Sequence, residues 1–130
     1  MAKWVRSGVL DNGLNDIKTV AVKMYLISAY TAGDTYAVVI ASALNSAGVT
    51  MASADYTLAT AGSNRTLTTA SGKTGTATST IAAAAGNLHI AFTDGIGSVV
   101  WVTDETSEQA ITSGNTINFP APVYTSQQPV

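Results

Sequence analysis

The chain has 130 residues and a mass of 13.3 kDa, enough for one domain with a core of its own and too few for two ordinary ones. Only 11% of it is charged, against a typical share of about 25%, the formal net charge is −2, and Lys and Arg are scattered, which leaves no basic patch for nucleic acid. The absence of cysteine excludes disulfides and thiolate metal sites, and no apolar run suits a signal peptide or a bilayer span, so the protein is expected to be made and used without crossing a membrane.

Ser7 is a good helix N-cap, and Leu10, Leu14 and Ile17 follow at helical spacing with Asp11, Asn12, Asn15, Asp16 and Lys18 opposite, which predicts a short amphipathic helix over 8–18. Gly13 inside it weakens the helix by about 1 kcal/mol relative to Ala, so it forms when docked. The period then changes to two. "TVAVKMYLIS" (19–28) sets Val20, Val22, Met24 and Leu26 against Ala21, Lys23, Tyr25 and Ile27, a strand with one apolar face and one mixed face. "GDTYAVVIASALNSAG" reads both ways, since "YAVVI" suits a strand; a second short helix, capped by Asp34 and ended near Gly48, is the reading adopted.

From Val49 onward short β-branched runs alternate with turn residues, the spacing of a sandwich or barrel. Strands are expected over 49–52, 55–59, 65–70, 76–83, 88–93, 98–103, 109–112, 116–119 and 122–125. The clearest hairpin joins "LHIAF" to "VVWVT" through Asp94-Gly95-Ile96-Gly97. "SGNT" (113–116) is a further turn, and Pro120 and Pro122 restrict the last strand to an edge or an extended arm. The fold class is therefore all-β: an antiparallel sandwich, residues 1–130 as a single domain, led by a helix.

Chemistry-bearing residues are sparse. Asp104, Glu105 and Glu108 cluster in one connection, but without the Asp/Asn alternation and central Gly of a calcium loop they read as a solvated bend. His89, the only histidine, lies mid-strand with no G-x-S-x-G elbow to partner it. "SGKTG" (71–75) ends like a phosphate loop but has Leu67 where the first Gly belongs, so it reads as a hairpin turn with Lys73 as a tip charge. Asn64-Arg65-Thr66 matches a glycosylation sequon that has no consequence without secretion. The residues thus name no catalytic group, cofactor or metal site, and the expectation is a protein that is not an enzyme. A hydrolase would have to bring His89 beside a Ser and Asp94 or Asp104.

Two stretches, "KWVRSGVLDNGLNDIK" and "LHIAFTDGIGSVVWVTDETSEQAITSGNTINFPA", resemble small head decoration, or cement, proteins of tailed bacteriophages. With the intervening "SADYTLATAGSNRTLTTASGK" the resemblance spans most of the chain. It implies a jelly-roll-like β-sandwich made in the host cytoplasm that binds the outer surface of the virion head, bridging and stabilising neighbouring major capsid proteins. The better-known trimeric cement proteins of another fold lack this helix-first organisation.

For such a protein the expected attachment points are the two ends, residues 1–6 and 121–130. Trp4 and Val5 offer apolar area with Lys3 and Arg6 placed to meet carboxylates, and Pro122, Tyr124, Gln127 and Gln128 lie on a stretch kept extended by its prolines. The competing reading has both ends packed on their own domain, as a paired strand and a helix lead. A homo-oligomer is expected, a closed dimer ahead of a trimer. The alternative function is a tail, fibre or capsid-displayed module gripping host surface glycans through an exposed aromatic groove.

Overall fold

The computed structural model describes residues 3–82, 88–105 and 109–129, and everything below concerns these. The chain is mainly β, three antiparallel sheets with a helix in front, as the period-two runs predict. The elements are α1 (Ser7–Val20), β1 (Lys23–Ile27), α2 (Tyr36–Ala41), β2 (Val49–Thr50), β3 (Tyr56–Ala61), β4 (Asn64–Thr69), β5 (Thr74–Thr76), β6 (His89–Thr93), β7 (Val99–Asp104), β8 (Thr116–Asn118) and β9 (Val123–Ser126). They pair as a four-stranded sheet β2-β1-β6-β7, a three-stranded sheet β3-β4-β9 and a two-stranded ribbon β5-β8.

Helix α1 buries Leu10, Leu14 and Ile17, the expected stripe, but runs to Val20, two residues beyond the predicted end. The Thr19 hydroxyl donates back to the Asn15 carbonyl at 2.8 Å and Ala21 N–H closes on Ile17 at 2.9 Å, so the β-branched pair Thr19-Val20 finishes the helix instead of opening the strand. Ser7 is not the cap. Arg6 holds that position with extended backbone and no side-chain bond, so α1 is held by docking. Its Asp11 meets Arg65 of β4 at 2.7 Å, a single, partly buried ion pair worth about 1 kcal/mol, whereas each buried apolar side chain contributes about 1.5–3 kcal/mol. Packing of the apolar stripe dominates.

Strand β1 departs from the expected half-mixed pattern. Met24 and Leu26 face the main core with Ile90, Phe92, Tyr56, Leu67 and Ile117, while Tyr25 and Ile27 are equally buried in a second cluster with Val39 of α2 and Ala91. The second helix is only Tyr36–Ala41 and is not capped by Asp34, whose carboxylate accepts the Thr31 N–H at 2.8 Å. Beyond it the chain runs beside β1: Leu26 accepts from Leu44 N–H at 2.7 Å, and Ser28 donates to the Ser42 carbonyl. Asn45, 2% exposed, completes this edge with its side chain, Oδ1 accepting from Leu26 N–H at 2.8 Å and Nδ2 donating to the Met24 carbonyl at 3.4 Å. Space for that amide depends on Gly75, where a Cβ would stand 3.0 Å from Val49 Cγ2 and 3.3 Å from Asn45 Nδ2.

Several expected strands are shorter or displaced. Over 76–83 the ladder is confined to β5, and after it only Ile81 pairs, with Ile111, which is also all that forms of the strand expected over 109–112. The cause lies in the threonines: Thr78 Oγ1 accepts from Ser46 N–H and Thr80 Oγ1 from Ser113 N–H, so side chains tie this stretch to neighbouring loops in place of a ladder. Residue 83, the end of that expected strand, lies outside the described residues. "SGKTG" does not make a hairpin, because β4 and β5 belong to different sheets. Lys73 is correspondingly not a tip charge. Its Nζ meets Asp55 Oδ2 at 2.7 Å, and this bond, with that from Ala52 N–H, lowers the Asp55 pKa.

Among the described residues no helix is long and apolar enough to cross a membrane. Replacing Asn45 by Ala leaves the buried Leu26 N–H and Met24 carbonyl without these partners. Urea unfolding should show a loss of about 1–3 kcal/mol; a midpoint equal to wild type would show that the amide is dispensable.

Candidate functional site

The two segments expected to hold a partner meet each other. Val5 N–H donates to Gln128 Oε1 at 2.9 Å and Gln128 Nε2 donates to the Val5 carbonyl at 2.8 Å, a reciprocal pair in which a glutamine side chain replaces a strand. The Gln128 N–H is in turn held by Asn64 Oδ1 at 3.0 Å, at the start of β4. Both segments are thereby fastened to the three-stranded sheet. On this clamp Trp4 projects into solvent, 73% exposed, between Lys3 and Arg6, which are also exposed.

The remaining expected contact residues lie along β9. Its register with β4 pairs Val123 with Thr68, Tyr124 with Leu67, Thr125 with Thr66 and Ser126 with Arg65. The Pro122 carbonyl accepts from Thr69 N–H at 3.1 Å, so the prolines lead into an edge strand of the domain's own sheet. Tyr124 is 41% exposed and Gln127 is exposed. The clamp therefore joins Val5 and Gln128 directly, while Pro122 and Tyr124 sit further along the same edge.

Tyr124 ends a row of rings that the sequence did not reveal. Tyr56 packs tilted on Phe92, Phe92 stacks on Trp101 with centroids 4.7 Å apart and planes 10° apart, and Trp101 meets Tyr124 edge-on at 5.5 Å. The row crosses from the core to the surface and couples the two larger sheets. Beside its outer end lies a cleft of about 260 Å³, walled by Gly13, Leu14, Asp16 and Ile17 of α1, Val100 of β7, and Tyr124 and Ser126 of β9.

Elsewhere the chemistry-bearing residues are engaged in structure. Asp94 closes the predicted hairpin: its Oδ1 accepts the N–H groups of Ile96, Gly97 and Ser98 at 2.8–2.9 Å, over Gly95 with φ 75°. These backbone bonds, from Gly97 first, lower its pKa from 3.8 to about 2. His89 Nδ1 lies 3.0 Å from Asp104 Oδ1 and its ring meets Tyr30 edge-on, but among the described residues no serine hydroxyl bonds to it. The acidic bend is only partly solvated. Asp104 is exposed, whereas Glu105 is buried, accepting from Gln109 Nε2 at 2.9 Å; Glu108 lies outside the described residues. No group of three or more metal-ligating side chains occurs among the described residues.

Compared with known proteins, the chain matches no family model, no curated protein and no solved structure at a significant level.

The Asp94 pKa fixes a pH dependence. Its folded value lies below its unfolded value of 3.8, so its contribution to stability is present above that pH and is lost as pH falls toward about 2. Thermal melts between pH 6 and 2 should show wild type losing stability over this window, and Asp94→Ala losing correspondingly less. Parallel curves for the two proteins would remove the carboxylate from the account.

Proposed function

We propose that this is a structural virion protein that decorates the outer surface of a tailed-phage head, bridging neighbouring major capsid proteins and stabilising the assembled shell. The observation that carries the reading is Trp4: a large apolar side chain exposed at 73%, flanked by Lys3 and Arg6, on a segment fixed by the Val5–Gln128 pair. A soluble monomer gains nothing from such a side chain in water, whereas a pre-positioned aromatic is a strong interface anchor because little conformational entropy remains to be lost. The sequence resemblance points to the same partner. Binding only the assembled lattice stabilises it by mass action, and repeated attachment makes modest contacts sufficient.

Purified protein added to undecorated capsids should raise their disruption temperature. Trp4→Ala should weaken attachment by about 2 kcal/mol or more, a factor near 30, with the melting of the free domain unchanged. Undiminished binding by this variant, or no change in capsid stability at full occupancy, would overturn the reading.

A second reading, a module for host surface glycans, draws on the cleft beside Tyr124. An exposed aromatic ring with Asp16 and Ser126 close by offers a stacking surface and polar partners for sugar hydroxyls. Glycan-array signal that disappears in Tyr124→Ala would favour this module; a blank array would remove it.

A further inference from the structure

Among the described residues β9 is the edge of its sheet, paired on one side only, with β4. In an antiparallel ladder alternate residues direct their N–H and C=O groups to opposite sides. Pro122 bonds to Thr69 through its carbonyl and Gln128 through its N–H to Asn64, both on the β4 side, so even-numbered residues face β4. The backbone groups of Val123, Thr125 and Gln127 therefore face outward, along a stretch where all three residues are exposed. Edges of this kind are ordinarily blunted by charge, proline, a bulge or a covering segment, and here proline stands only at the flanks, Pro122 and Pro129. The run "APVYTSQQPV" contains no charged residue, and its pairing with β4 is regular.

We propose that β9 pairs antiparallel with β9 of a second copy of this chain about a twofold axis through Thr125, joining two three-stranded sheets into one continuous sheet. The register follows from the outward groups. Thr125 stands opposite Thr125 of the other copy and Val123 opposite Gln127, so every outward N–H and C=O of these residues gains a partner. Pairing a strand with itself brings each side chain near its own copy, which penalises any charged residue; an uncharged strand carries no such penalty. Facing threonines add a favourable cross-strand pair. Pro129, at an outward-facing position, lacks an N–H and so bounds the ladder where it would stand opposite Ala121 of the other copy. The Val5–Gln128 clamp uses the glutamine side chain and leaves this backbone edge open. The pairing stands independently of the capsid reading.

Sedimentation of the full chain at its highest soluble concentration tests it. Wild type should run at twice the 13.3 kDa chain mass. Thr125→Lys and Thr125→Glu, each placing like charges face to face, should both run as monomers with unchanged melting, and an equimolar mixture of the two should recover the dimer. Thr125→Pro, which removes one outward N–H and none facing β4, should also be monomeric. A wild type that is monomeric or trimeric, or that pairs only with the strand of another protein, overturns the proposal. So do Lys and Glu variants that remain dimeric alone, or that fail to associate when mixed.

Discussion

Strand β1 has to be satisfied on four sides at once. Its side chains enter two different apolar clusters, so neither face meets water, and its backbone is paired with β6 along one edge over the whole strand. On the other edge β2 reaches only Lys23 and Met24. The Leu26 N–H would remain buried and unpaired there, a cost of about 1–3 kcal/mol, without the Asn45 carbonyl. The loop after α2, the short β2 and the close approach of Gly75 all follow from supplying that edge.

With β1 fixed, β6 and β7 are fixed beside it, and the aromatic row carries the order outward. Phe92 on β6 stacks on Trp101 of β7, and Trp101 positions Tyr124 on β9 in the other sheet. Sheet β3-β4-β9 in turn receives the helix through Arg65 and the Val5 segment through Asn64 and Gln128. The solvent-facing features, Trp4 and the open side of β9, thus rest on a frame whose mutual contacts are long-range. Rigid presentation of this kind lets a small surface bind without first losing freedom.

Much of this was legible in the residues. The apolar stripe of α1, the hairpin around Asp94-Gly95 and the edge character of the strand after Pro122 follow from periodicity, turn chemistry and the missing N–H. Other features had no local signal. A regular hairpin that pairs Thr93 with Val99 would set Phe92 opposite Val100, but a bulge between Phe92 and Thr93 shifts the register so that Trp101 takes that place. The stack therefore depends on one irregularity that composition does not encode. Asn45 read as part of a helix because its role is set by a strand many residues earlier. The clamp of Val5 by Gln128 joins residues 123 positions apart, beyond any local pattern. From their sequence neighbours alone Lys73 and Glu105 read as surface charges, whereas Asp55 and Gln109 meet them in space.

Native-state amide hydrogen exchange at Leu26 tests the central role of β1 most directly. If the strand is the frame on which the rest depends, the Leu26 amide exchanges only through global unfolding, with an opening free energy equal to that from denaturant melts. Exchange at Leu26 through a local opening, faster than that of the β4 amides facing β3, would contradict the account and move the frame to the three-stranded sheet.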